Sequence, residues 1–235
     1  MQPLKNAFMK NKSYIGISFI ILLFGIYAIP RIVTRIKNGT IVQNDRMSSQ
    51  NETVIDTSLV KIHQAPKFEL TNQNGIQINN TSYLGKVYLV EFFFTTCPSI
   101  CPIMNKNMVL IQNEFLTNKD FGIASISINP ENDTEKVLKQ YAEQYGAKLP
   151  NWHFLTGDKA KIYDIANKGF NVFVGENAKV NGGFEHSGLV ALIDKKGFIR
   201  CRRDANNNPI MYYDGLEKTG VVALKQDIKI LLKEK

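Results

Sequence analysis

The sequence predicts an α/β domain built on a mixed sheet with helices on its flanks, preceded by an N-terminal transmembrane helix. Two observations predict the domain. From Pro66 onward, short runs rich in β-branched and aromatic residues alternate with runs of helical periodicity, and the last strands read as a hairpin before a closing helix. A third observation predicts the membrane segment: residues 14–29 (YIGISFIILLFGIYAI) are sixteen uncharged, mostly apolar positions.

In chain order, residues 68–70 and 76–78 flank Asn72-Gln73-Asn74-Gly75 and read as a β-hairpin, and Gly85-Lys86 leads into a central buried strand over 87–94 (VYLVEFFF). Pro102 suits the first turn of a helix over 102–115, whose apolar positions are Ile103, Met104, Met108, Val109, Ile111 and Phe115. Residues 121–128 (FGIASISI) make the next strand. Asp133 or Thr134 caps a helix through Tyr145, with Val137, Leu138, Tyr141 and Tyr145 on one face and Gly146 at its end. A short strand over 152–155, a helix over 159–168 ended by Gly169, and a short strand over 171–174 follow. Residues 189–193 and 198–201 pair across Asp194-Lys195-Lys196-Gly197, and 218–233 is a helix striped by Val221, Val222, Leu224, Ile228 and Leu231. This order is thioredoxin-like, and in that architecture an active dithiol lies where a strand feeds a helix.

Two cysteines occupy that junction here, in Cys97-Pro98-Ser99-Ile100-Cys101-Pro102. If the turn is helical, positions four apart share a face. Unpaired backbone N–H groups and the positive end of the helix dipole favour a thiolate there, making it a better nucleophile and a better metal ligand. The pair can cycle between dithiol and disulfide, bind a soft metal, or do both. Of the three histidines, His63 lies in a polar approach segment and His153 in an apolar run, where packing or capping accounts for it. His186 differs, because it sits in the glycine-flanked loop Gly182-Gly183-Phe184-Glu185-His186-Ser187-Gly188 just before a strand, where sites are built. Two thiolates and an imidazole fit copper better than magnesium or calcium and leave zinc as the competitor. The aromatic run 92–94, Met104, Met108 and the odd Cys201 read as packing residues.

Four blocks together resemble a known family: Phe93-Phe94-Thr95-Thr96-Cys97-Pro98-Ser99-Ile100-Cys101-Pro102; Ser125-Ile126-Ser127-Ile128-Asn129-Pro130-Glu131-Asn132-Asp133-Thr134; Phe154-Leu155-Thr156-Gly157; and His186 ahead of an apolar strand and Asp194-Lys195-Lys196-Gly197. They resemble the Sco/SenC family of copper-binding, thioredoxin-like assembly factors for cytochrome c oxidase, over residues 65–233. The resemblance implies a copper ion, as Cu(I) and also Cu(II), held by Cys97, Cys101 and His186. It also implies a membrane anchor, and delivery of copper to, or reduction of the cysteines of, the dinuclear copper site in the copper-binding subunit of a haem-copper oxidase. A thioredoxin-like reductant is the further partner. One departure is Asn129, where family members commonly carry aspartate.

Charge and composition divide the chain. Six of the 29 basic residues and none of the 21 acidic ones lie in 1–37, so the remainder carries a balance of only +2. A domain that close to neutral lacks the basic footprint of a nucleic-acid binder, and the basic arm is explained by flanking lysines and arginines at lipid headgroups. No small-x-small cleavage site follows the apolar run, whose end reads Tyr27-Ala28-Ile29-Pro30-Arg31, so an uncleaved signal anchor is expected rather than a removed signal peptide. The expected organisation is a cytoplasmic N-terminus (1–13), a single transmembrane anchor (14–33), a polar tether (34–64) and a thioredoxin-like copper-binding domain (65–235) facing the periplasmic or extracytoplasmic side of a bacterial inner membrane.

Three function classes compete. A copper chaperone uses Cys97, Cys101 and His186. A membrane-tethered thiol:disulfide oxidoreductase uses the same redox-active pair without requiring His186, although general reductases of this architecture usually place two residues between the thiols and this chain places three. A peroxidase reading uses Thr96 and Cys97 at a helix start and leaves Cys101 and His186 unexplained.

Overall fold

The computed structural model describes residues 13–37, 59–180 and 182–234. The chain divides into two units. In the first, the apolar segment forms a helix, α1 (Ser13–Lys37), with Pro30 inside it. Ile20, Ile21 and Phe24 are exposed along it. Among the described residues no helix is long and apolar enough to cross a membrane, so the span expected over 14–33 stands as a helix only. Most of the expected tether, residues 38–58, lies outside the described residues.

The second unit opens with β1 (Val60–Gln64), a strand in what the sequence suggested was tether. The hairpin β2 (Glu69–Asn72) and β3 (Gln77–Asn79) follows, then a 3₁₀ turn, Asn80–Tyr83, closed by a capping box from Asn79. Next come β4 (Val87–Phe93), α2 (Cys101–Phe115), β5 (Phe121–Ser127), α3 (Glu135–Tyr145) and β6 (Trp152–Thr156). Helix α4 (Lys159–Asp164) continues as a π-helical turn, Ile165–Phe170. The two-residue strands β7 (Gly175–Glu176) and β8 (Phe184–Glu185) precede the hairpin β9 (Leu189–Ile193) and β10 (Phe198–Arg203). The short β11 (Pro209–Ile210) and β12 (Tyr213–Asp214) lead to α5 (Lys218–Lys233).

The main sheet runs β1-β10-β9-β4-β5-β6-β2-β3. Only the β4–β5–β6 centre is parallel; β9 pairs with β4 antiparallel, as the mixed sheet predicted. All seven residues of β4 and all seven of β5 are buried, without alternation. That is what strands covered on both faces require, and it is why their sequences read as nearly continuous apolar runs.

Two expectations fail. No strand forms over 171–174: Asn171 turns left-handed at φ 52° to end the π-helical turn, and pairing begins only at Gly175, in a separate two-stranded ribbon of β7 with β8. Helix α3 also lacks the side-chain cap expected from Asp133 or Thr134; Thr134 is the N-cap residue without a capping bond, and the Asp133 carboxylate is engaged elsewhere.

Candidate metal and thiol site

The thiols sit where the edge of the parallel centre ends. After Phe93, the chain turns back by a Cys97 N–H bond to the Phe94 carbonyl, 3.2 Å, and α2 starts only at Cys101. The turn between the cysteines is therefore not helical, contrary to the condition for a shared helical face. The two side chains meet for a different reason: the Cys97 sulfur accepts the Cys101 N–H at 3.5 Å. Ile100, the N-cap residue, offers no side-chain cap, and the sulfur satisfies one of the otherwise unpaired N–H groups at the helix start.

His186 arrives on the segment that leads into β9, the strand paired beside β4. Because β9 runs antiparallel to β4 with Val190 opposite Glu91, the residues just before β9 lie beyond the end of β4. His186 Nε2 stands 3.5 Å from Cys97 Sγ and 3.3 Å from Cys101 Sγ. The imidazole packs edge-on against Phe94, ring centres 5.3 Å apart, and Phe184 packs on the same Phe94 ring at 5.1 Å. Gly182 is held at φ +90°, and a Cβ there would lie 2.9 Å from Pro98 and 3.0 Å from Phe94, so the loop must carry glycine to seat on the thiol turn.

The environment separates the three cysteines. The hydrogen bond with Cys101 is the main cause holding the Cys97 thiol well below its ordinary value; burial opposes it, and the contact with His186 adds to the lowering. Cys101 moves the other way, raised by the same bond to Cys97 and then by burial. Cys201, on β10 opposite Val60, is pushed up to about 11 by burial. It stands outside the grouped donors and is a packing residue, as expected. Met104 and Met108 are likewise buried core. His153 bonds Asn72 and packs edge-on against Tyr83, and burial lowers its basicity. His63 is exposed on β1.

Chemically, the set is two sulfurs and one imidazole nitrogen within 4.8 Å of one another, with no carboxylate. Soft donors of this kind suit Cu(I) and zinc and do not suit magnesium or calcium. His186 Nδ1 is buried without a hydrogen-bond partner among the described residues.

Two buried acids near the thiols were not assigned a site role from sequence. Asp133 gathers the turn before Cys97, through Thr95. Glu91, within β4, accepts from Ser125 Oγ at 2.6 Å, and Ser125 in turn accepts from Trp152 Nε1 at 3.0 Å. Its second oxygen is buried and unpartnered, and burial pushes its carboxyl up to about 7. A glutamate inside the otherwise apolar run VYLVEFFF was the signal available for it.

A family model described as SCO1/SenC matches residues 57–219. The SCO1 protein homolog of Bacillus subtilis is 31% identical over 173 residues, covering 71% of this chain and 82% of that protein. A SCO2-like protein of Rickettsia prowazekii is 34% identical over 142 residues, 58% of this chain and 67% of that one. Among solved structures, a SCO1/SenC family lipoprotein from Bacillus anthracis matches at TM-score 0.63 and 27% identity, over 73% of this chain and 96% of its own. BsSco, described with a disulfide switch as a member of the Sco family of cytochrome c oxidase assembly proteins, matches at TM-score 0.61 and 29% identity, over 76% and 98%. Bradyrhizobium japonicum ScoI with copper bound matches at TM-score 0.54 and 25% identity, over 72% and 99%.

Cys97 should be the reactive thiol. A group already ionised gains nothing from rising pH, whereas an ordinary thiol slows about tenfold for each unit below its pKa. Alkylation of the metal-free reduced protein, followed by peptide mass spectrometry between pH 5 and 8, should modify Cys97 first at a nearly flat rate, with Cys101 and Cys201 far behind.

Glu91 should make stability fall with pH. Its folded carboxyl binds a proton more tightly than the ordinary value of 4.5, so the folded state holds more protons than the unfolded state between there and about 7. Stability is then lost across that window as pH rises. His153, lowered, contributes the opposite slope, so the difference between wild type and Glu91→Gln isolates the acid. Urea unfolding at pH 4.5, 5.5, 6.5 and 7.5 should show the variant declining less steeply.

Proposed function

The chain belongs to the SCO1/SenC family, and from that premise and the Cys97–Cys101–His186 cluster we propose that it is a copper-binding assembly factor for cytochrome c oxidase. It carries copper as cargo to the copper-binding subunit of a haem-copper oxidase. The observation that carries this reading is the convergence of two sulfurs and one imidazole nitrogen. Thiolates select Cu(I) among first-row ions, while a structural zinc site takes four protein ligands. Among the described residues no fourth cysteine, histidine or carboxylate joins the group. A three-donor set leaves a side open to the ligands of a receiving protein. His186 is the residue that a chaperone needs and a plain reductase does not.

The lowered Cys97 thiol beside Cys101 favours a second activity of the same pair, reduction of the target's cysteines. In that step Cys97 and Cys101 form one disulfide while two electrons and two protons pass to the target's disulfide. A thioredoxin-like reductant then restores the dithiol. The exposed apolar side chains of α1 support attachment to the membrane, with the domain on the extracytoplasmic side of a bacterial inner membrane.

The reduced protein should bind one copper per chain in competition with a Cu(I) chelator. Cys97→Ala or Cys101→Ala should abolish tight binding. His186→Ala should weaken it by more than the roughly 10–100-fold that loss of an outer-shell partner costs, yet leave disulfide formation between the cysteines nearly intact. Normal copper loading by His186→Ala would turn the assignment to the reductase.

Attachment is checked separately. After cell fractionation the full chain should resist carbonate extraction and be degraded by protease added to spheroplasts; release by carbonate would remove the membrane role of α1.

A further inference from the structure

The segment 125–134 (SINPENDT at its heart), singled out by the sequence and given no chemistry above, converges on one carboxylate beneath the thiol turn. Asp133 is completely buried. Its Oδ2 accepts the Thr95 N–H at 3.0 Å and the Ser127 hydroxyl at 2.5 Å. Its Oδ1 accepts the Thr95 hydroxyl at 2.5 Å and Asn132 Nδ2 at 2.8 Å. Two of the four donors belong to Thr95, two residues ahead of Cys97, so backbone and side chain of that residue are both held. Ser127 Oγ also accepts the Asn129 N–H at 3.1 Å, and the Ile128 N–H bonds the Phe93 carbonyl at 2.8 Å.

Stability alone accounts poorly for this arrangement. Among the described residues no cation pairs with Asp133. A buried carboxylate held only by neutral donors is expensive to desolvate, and apolar replacement of buried charge is often neutral or stabilising. Helix α3 meanwhile goes without the side-chain cap that Asp133 or Thr134 could supply. A second tie runs outward, from Glu131 through Lys159 to Glu176 on β7, but its partners are largely exposed and such pairs contribute little. The buried carboxylate is the strong element.

We propose that Asp133 is a positioning residue for the thiol pair: through Thr95 it holds the turn in which both sulfurs stand, as free thiols, within reach of His186. This role rests on the copper-binding reading above. Both sulfurs lie within 3.5 Å of one imidazole nitrogen, whereas a disulfide needs them about 2.05 Å apart. A turn locked in the first arrangement favours the reduced, metal-ready pair. Loosening it weakens metal binding and favours the disulfide.

The test compares Asp133→Asn, Thr95→Val and Thr95→Ser in the full chain. Asp133→Asn keeps the shape but presents an amide to donors; Thr95→Val removes one hydroxyl donor; Thr95→Ser restores it. Two readouts are taken: Cu(I) affinity by chelator competition, and the dithiol–disulfide equilibrium of Cys97 and Cys101 in metal-free glutathione buffers, with thermal melting as a control for folding. Asp133→Asn should lose about tenfold or more in copper affinity and shift the equilibrium about tenfold towards the disulfide, about 30 mV. Thr95→Val should move both in the same direction and Thr95→Ser should return both to wild type. Values for Thr95→Val within twofold of Thr95→Ser on both readouts would overturn the role, even if Asp133→Asn fails to fold. Weak copper binding by the wild type would instead count against the proposed function, and the metal-free equilibrium would still decide the role of Asp133.

Discussion

The antiparallel pairing of β9 with β4 is the constraint on which the site depends. β4 is buried along its whole length between β5 and β9, and its register with β9 sets Val190 against Glu91. With that register given, the chain entering β9 emerges beside the chain leaving β4, and His186 meets Cys97 and Cys101. A slip of one residue would invert every side chain of β9 and move the imidazole away. The apolar faces on both sides of β4 make such a slip costly, because Val190 and Leu192 would exchange surroundings with Ala191 and Ile193 in a close-packed interior.

Polar groups buried beneath the thiols mark where stability was not the only requirement. Glu91 sits in the centre of the sheet with one oxygen satisfied by Ser125 and the other by nothing. Asp133 sits at the edge of the same layer with both oxygens saturated. Burial drives the half-satisfied Glu91 carboxyl towards its neutral form. Phe93, two residues after Glu91 on β4, packs its ring against Tyr141 and Phe154 in the apolar core.

Three cysteines of identical chemistry acquire three behaviours from position alone. Cys97 accepts the first free N–H of α2 and touches His186. Cys101 stands inside the helix and is fully buried. Cys201 is fully buried on β10, where burial raises its thiol against the weaker opposing pull of Arg203 and Arg200. A sulfur at the start of a helix combines a structural duty with a chemical one, since the dipole that needs a negative partner also sustains the nucleophile.

The chain's local patterns were sufficient for much of this. The periodicities of β4, α2, β5, α3 and α5, the turn glycines and the cysteines at a strand-to-helix junction are properties of short segments, and each is legible without its neighbours. What escaped were elements too short or too polar to carry a period: β1 in the approach to the domain, the β7–β8 ribbon, and a capping box at Asn79. The apolar N-terminal run was legible as a helix. By itself the sequence determined the donor types and the order of strands and helices, because side-chain chemistry and local backbone preference are written residue by residue. Only the tertiary structure decided that an imidazole 85 positions from Cys101 and a carboxylate 36 positions from Cys97 would share one turn, because strand pairing joins segments through backbone hydrogen bonds that are the same for every residue and so leave no mark on any one of them.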